Sequence, residues 1–200
     1  MRGEEEVEPF CSSSLPASGN DLPSGNADDR LVKLAASGDH HAFAEIVRLH
    51  QGFVLALAYR FLGNRDEAEE VAQEVFLKLW QNAKRYKPQT KLPAYLRTLA
   101  VNICLDMKRR PRLVVPMPEE HEALSAADPA ADAAQAEKRR ALEKSLQSLP
   151  PAQRMAIVLF HLEGLSVIEA AQLLGVSRKA AESLLSRGRA ALRHALAPLL

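Results

Sequence analysis

The segment from Ser166 to Arg193 can adopt very few folds. Ser166 followed three residues later by Glu169 is the pattern of a capping box, which fixes a helix start. Leu174-Gly175-Val176-Ser177 then breaks the helix, with Gly175 suited to the left-handed turn and Ser177 to capping a second helix. Ala170, Leu173, Leu174, Val176, Ala181, Leu184 and Leu185 fall where two crossing helices would be glued together. Helix, tight glycine turn, then a basic helix is a helix-turn-helix, a device for reading DNA. Ser177, Arg178, Lys179, Glu182, Ser183, Arg187 and Arg189 remain to face the groove or its phosphates.

The same 3.6-residue period runs through the rest of the chain. A first helix is expected from Asp28 or Asp29 to Ser37-Gly38-Asp39. A second carries Phe43, Ile46, Val47, Val54, Leu57, Ala58 and Phe61, and ends at Gly63. Asn64 with Glu67 reads as the cap of a long third helix. Its stripe is Ala68, Val71, Ala72, Val75, Phe76, Leu79, Trp80 and Ala83, with acids at its start and Lys84-Arg85 at its end, as the helix dipole favours. After a loop holding Pro88, Pro93 suits the first turn of a helix that buries Leu96, Leu99, Ala100, Ile103 and Met107. Later, Leu142, Leu146 and Leu149 form a stripe broken at Pro150-Pro151, and Ile157, Leu159, Phe160 and Leu162 continue it. No segment alternates with period two. The expected fold is all-α: two small helical domains, residues 28–111 and 137–200, behind a disordered acidic tail at 1–27. A flexible acidic Pro/Ala-rich linker, residues 112–136, joins them.

Composition narrows the function. Hydrophobic residues make up 47% and aromatics only 5%, so the cores are built from Ala and aliphatic side chains. No run approaches the ~20 apolar residues of a membrane span, and the N-terminus lacks the basic start and apolar stretch of a secretory signal. A cytoplasmic location is expected. Cys11 and Cys104 lie in unlike contexts and do not suggest a disulfide; Cys104 reads as a small core residue. No P-loop, dinucleotide fingerprint, H-E-x-x-H or paired metal-spaced cysteines occur, so no cofactor, metal, catalytic residue or small-molecule substrate is expected.

The net charge of +1 conceals segregation. Residues 1–30 are acidic. Between Lys78 and Arg112, ten basic residues face only Asp106. The linker is acidic again. Two basic stations suggest two contacts with a polyanion. In the first, Tyr86 and Tyr95 are interleaved with Lys87, Lys91 and Arg97, a combination suited to stacking and tracking single-stranded nucleic acid.

These residues also carry a likeness. The run DEAEEVAQEVFLKLW from Asp66 to Trp80 resembles conserved region 2 of bacterial sigma factors, and Leu96 to Asn102 through Asp106 and Arg110 is similar to the segment that follows it. Leu149-Pro150-Pro151-Ala152-Gln153-Arg154 and Glu163-Gly164-Leu165-Ser166, with the helix-turn-helix, resemble region 4. With only these two regions, the chain resembles the extracytoplasmic-function (ECF) sigma factors over roughly residues 28–195.

The resemblance implies a factor that brings core RNA polymerase to promoters and helps melt them. Asp66, Glu67, Glu69, Glu70, Gln73 and Glu74 would dock on the β′ clamp helices, while region 4 meets the β flap. Tyr86, Lys87, Lys91, Tyr95, Arg97, Thr98, Asn102, Asp106, Arg109 and Arg110 would read and open the −10 element. The residues from Ser177 to Arg189 named above would read the −35 element. The linker would thread near the RNA path, and an anti-sigma factor would hold the protein inactive, in some cases at the membrane. Tyr95 stands where the family often has Trp, Leu92-Pro93 replaces a more usual Arg-containing pair, and Glu182 and Leu184 replace common basic residues, so an unusual −35 preference is implied. The competing reading is a stand-alone helix-turn-helix regulator that binds duplex DNA without polymerase.

Overall fold

The computed structural model describes residues 25–86, 91–109 and 133–197, and all regular structure in them is helical. Helix α1 (Gly25–Ala36) starts three residues earlier than the sequence suggests. Residues 1–24, the Pro88 loop, the linker as far as residue 132 and the C-terminal end at Pro198 lie outside the described residues.

Helix α2 (His40–Leu62) is capped by the Asp39 carboxylate, which accepts from the His41 and Ala42 amides, and ends at Gly63 with φ 71°. Asn64 accepts from the Glu67 amide to open α3 (Arg65–Asn82), which closes in a short 3-10 turn, Ala83–Arg85. Helix α4 (Leu92–Arg109) has Pro93 in its first turn, where a missing N–H goes unnoticed. Helices α2, α3 and α4 pack on one another, and α1 lies chiefly against α2. Their core holds Ile46, Val54, Leu57, Phe61, Val71, Leu79, Leu92, Leu96 and Cys104, all at most 1% exposed. Two polar side chains, Asp28 and His50, are wholly buried among them, with His50 Nε2 3.0 Å from Asp28 Oδ1. That pair ties α1 to the middle of α2.

The C-terminal unit comprises α5 (Ala133–Gln147), α6 (Pro151–Ile157), α7 (Val167–Leu174) and α8 (Arg178–Leu196); α6 continues into a π-helical turn, Val158–Leu162. Leu146, Leu149, Ala156, Ile157 and Leu185 form its core. Leu142, Leu162 and Val176, read as apolar contacts from their spacing, are 37–41% exposed instead. Helix α8 crosses α6 at Gly188, where a Cβ would meet Ile157 Cγ1 at 2.9 Å.

The two units do not stand apart. Met155, Val158, Leu159 and Ala170 of the C-terminal unit are fully buried in the same cluster as the core of α1–α4. Helix α6 and its π-helical turn are therefore shared: Met155, Val158 and Leu159 pack in the cluster of the N-terminal unit, while Ala156 and Ile157 pack with Leu185 of α8. A two-domain sequence pattern folds here into two units that share a buried apolar seam.

Candidate polymerase and promoter interfaces

The first turns of α3 carry the acidic surface expected from the sequence, with one residue turned inward. Asp66, Glu69, Glu70 and Gln73 are exposed and Glu74 is half-buried. Glu69 is paired with Arg65 at 2.9 Å and Glu74 with Lys78 at 2.8 Å. Glu67 is only 6% exposed, and its carboxylate accepts from Lys108 Nζ of α4 at 2.9 Å. It braces α3 against α4 and does not contribute to the exposed acidic face.

Helix α4 presents Thr98, Asn102, Asp106 and Arg109 outward along one side, at the i, i+4 and i, i+3 spacings that stack side chains on a helix. Arg109 and Asp106 pair at 3.4 Å. Lys91 is exposed at the helix start. Tyr86 and Tyr95 are half-buried and meet edge to face, with ring centroids 5.6 Å apart. The Tyr86 hydroxyl donates to Asp29 at 3.3 Å; burial first, then the Asp29 charge, push its pKa up to about 12. The tyrosine pair is thus anchored on α1, with one hydroxyl already committed. Lys87 and Arg110 lie outside the described residues.

Arg97 occupies a different side of α4 from the Thr98–Asn102–Asp106 row. Its side chain is 16% exposed, its guanidinium lies 5.0 Å from the centre of the Phe53 ring, and its Nε is 3.9 Å from Glu163 Oε2. The other oxygen of Glu163 accepts from Arg60 Nη1 at 2.5 Å. Neither Arg60 nor Glu163 figured among the sequence candidates, although both sit at the seam between the units.

In the helix-turn-helix the capping box forms as read. The Ser166 side chain accepts from the Glu169 amide, and the Glu169 carboxylate accepts from the Ser166 amide at 2.8 Å. The hydroxyl and amide of Ser166 hold the Glu169 carboxyl below its usual range, with a lesser contribution from Arg97. Gly175 takes the left-handed conformation, φ 64°, and Ser177 caps α8. Ser177, Arg178, Lys179, Glu182, Ser183, Arg187 and Arg189 are all exposed on or just before α8. Glu182 is paired with Arg178 at 2.9 Å, so it orients that exposed guanidinium. Arg189 donates to His161 Nε2 at 3.1 Å and lies over Phe160. Burial, then the Arg189 charge, lower the His161 pKa.

Two family models match the chain in order: Sigma-70 region 2 over residues 46–113, and Sigma-70, region 4 over residues 139–192. The chain is 36% identical over 185 residues to the ECF RNA polymerase sigma factor SigE of Mycolicibacterium smegmatis, covering 89% of this chain and 70% of that one. It is 30% identical over 181 residues to the ECF RNA polymerase sigma factor SigW of Bacillus subtilis, covering 85% and 97%. Among solved structures, CnrH in complex with the cytosolic domain of CnrY superposes with a TM-score of 0.60 at 31% identity, over 86% of this chain and 98% of that chain. The sigma factor RpoE of Bartonella quintana, solved with the anti-sigma factor NepR, shares the fold at a TM-score of 0.55 and 23% identity, over 77% of this chain and 96% of that one.

Proposed function

Because the chain belongs to the ECF RNA polymerase sigma factors, we propose which of its surfaces meet polymerase, which meet the promoter and what restrains it. As a member of that family it is a transcription initiation factor that binds core RNA polymerase, recognises −10 and −35 promoter elements and assists promoter melting. The observation that carries the assignment is the ordered pair of regions on one chain. A stand-alone regulator would leave the α1–α4 unit, with its acidic ridge and its basic aromatic corner, without a role.

Asp66, Glu69, Glu70, Gln73 and Glu74 form the polymerase-docking ridge on the β′ clamp helices, supported by the exposure of the first four on α3, with Glu74 half-buried beside them. Tyr86, Lys91, Tyr95, Thr98, Asn102, Asp106 and Arg109 form the −10 surface, with Lys87, Arg97 and Arg110 as its flanks. Capturing an extruded base there offsets the few kcal/mol needed to unstack it. Helix α8 reads the −35 element through the exposed set from Ser177 to Arg189, and the C-terminal unit meets the β flap. Phosphate contacts by these arginines and lysines make affinity steeply salt-dependent.

The units are those expected at residues 28–111 and 137–200, with α5 starting at Ala133, inside the span read as linker, and the acidic linker would run near the RNA path. An anti-sigma partner fits the likeness to CnrH, which was solved with CnrY. No helix among the described residues is long and apolar enough to cross a membrane. We place the protein in the cytoplasm, at the nucleoid when active and at the membrane only through a partner. Reconstitution is the test. Purified chain with core polymerase should start transcription at specific promoters while binding promoter duplex weakly alone, and tight specific binding without polymerase would favour the stand-alone regulator.

A further inference from the structure

The seam between the two units contains an anion site. Arg60 of α2 and Arg97 of α4 converge on the carboxylate of Glu163, which is 5% exposed. Arg60 Nη1 donates to Oε1 at 2.5 Å, while Arg97 Nε stands 3.9 Å from Oε2 and is buried with no hydrogen-bond partner among the described residues. Two guanidiniums facing one two-oxygen anion is the geometry that binds carboxylate and phosphate alike. Arg97 lies over the Phe53 ring of α2, in its own unit, so its position does not depend on Glu163 alone. Arg60 is 37% exposed, leaving the site reachable from solvent.

The closed arrangement is incompatible with the work of the protein on straight promoter DNA. A compact chain of this length spans ~40 Å. Elements centred near −10 and −35 lie about 85 Å apart along the duplex, at ~3.4 Å per base pair. The units must separate, and the residues between Arg109 and Ala133 can reach ~75 Å when fully extended. Separation withdraws Glu163 from Arg60 and Arg97, leaving both guanidiniums on the N-terminal unit without that carboxylate.

We propose that Glu163 is an internal stand-in for a nucleic-acid phosphate: it pins the chain closed by occupying the Arg60–Arg97 site, and a backbone phosphate of promoter DNA takes that site once the C-terminal unit withdraws. The ligand class rests on the sigma-factor reading; the pin does not. Closing and DNA binding therefore compete for the same two guanidiniums.

The full chain, free in solution, tests both halves. With Cys11→Ser, spin labels at Ser37→Cys and Ser186→Cys report the distance between the units by electron–electron double resonance. Glu163→Lys should lengthen that distance and Glu163→Gln should broaden it toward longer values. Arg60→Glu combined with Glu163→Lys should recover the short distance. Unchanged distributions in both single variants, or a long distance already in the parent chain, would overturn the pin. Glu163→Gln is near-isosteric, so it keeps the test decisive if the lysine variant does not fold.

For the phosphate, a fluorescein-labelled forked duplex is titrated at several salt concentrations. Glu163→Gln should bind it several-fold tighter than the parent. Adding Arg60→Ala should return the affinity and lower the salt slope by about one. No effect of Arg60→Ala on the slope overturns the phosphate assignment. Failure of the sigma reading would appear separately, as absent transcription with core polymerase.

Discussion

Arg154 Nη1 donates to the main-chain carbonyl of Phe61 at 2.9 Å, joining residues 93 positions apart. Phe61 lies in the last turn of α2, where carbonyls have no helical partner and the helix dipole is negative. The same guanidinium donates to the carbonyls of Gln147 and Leu149, at 2.5 and 3.0 Å, and to the Gln147 side chain. Arg154 is 7% exposed, and burial lowers its pKa. Arg154→Met keeps the bulk and strands these carbonyls, so urea unfolding should show a loss of about 2–4 kcal/mol. Arg154→Lys should not restore it, because one ammonium cannot reach the forked set of acceptors. An unchanged midpoint would refute this role.

Charge reversal should separate docking from folding on α3. Asp66→Arg with Glu70→Arg changes two exposed residues, and should reduce core polymerase affinity roughly tenfold or more while leaving stability within about 0.5 kcal/mol. Glu67→Ala should do the opposite. It leaves the half-buried Lys108 ammonium without its carboxylate, so stability should fall by ~1–3 kcal/mol. Competition binding to core polymerase and thermal melts read the two effects apart.

His161 should titrate below 6.5 in NMR spectra of the native chain, because burial and Arg189 both disfavour its charged form. Between that lowered value and the unfolded value near 6.5, the unfolded chain binds more protons. Stability is therefore fullest above about pH 6.5 and declines as pH falls through this window. Arg189→Ala removes the smaller of the two causes, so the midpoint should rise only part of the way back. A midpoint unaffected by Arg189→Ala would mean the contact at 3.1 Å is not maintained in solution.

Cys104 should be inert. Its thiol is fully buried on α4 and burial pushes its pKa up to about 12, so at pH 8 the thiolate fraction is on the order of 10⁻⁴. In a Cys11→Ser chain, a thiol-reactive chromogenic disulfide should give no signal until denaturant is added. Rapid native reaction would show that the α3–α4 seam opens readily.

Local punctuation was legible in the sequence because it is satisfied within a few residues. The Ser166–Glu169 box, the Asn64 cap, Gly63 and Gly175 each settle their own helix end whatever lies elsewhere. What escaped is contact between remote polar groups. Asp28 marks only a possible helix start in the sequence and nothing local singles out His50, yet the two are buried together, and Arg60, Arg154 and Glu163 give no local sign of meeting across the seam. The position of Arg97 could have been found. The spacing 97, 101, 104 places it beside Val101 and Cys104, both fully buried, and away from the row of Thr98, Asn102 and Asp106. Glu67 sits beside Ala68 on the flank of the α3 stripe, but its Lys108 partner lies 41 residues on, beyond the reach of any helical period.

At Gly188, α8 passes so near α6 that an added Cβ would lie 2.9 Å from Ile157 Cγ1 and 3.5 Å from the Gln153 carbonyl oxygen. That crossing acts as a fulcrum. Arg178 lies ten residues ahead of it, about 15 Å along the helix at 1.5 Å per residue. A tilt of only ~4° at the fulcrum would carry the reading end of α8 about 1 Å sideways, enough to break a bidentate contact with a base. A side chain at Gly188 should therefore shift the sequence preference proposed for α8 without changing any residue proposed to face DNA.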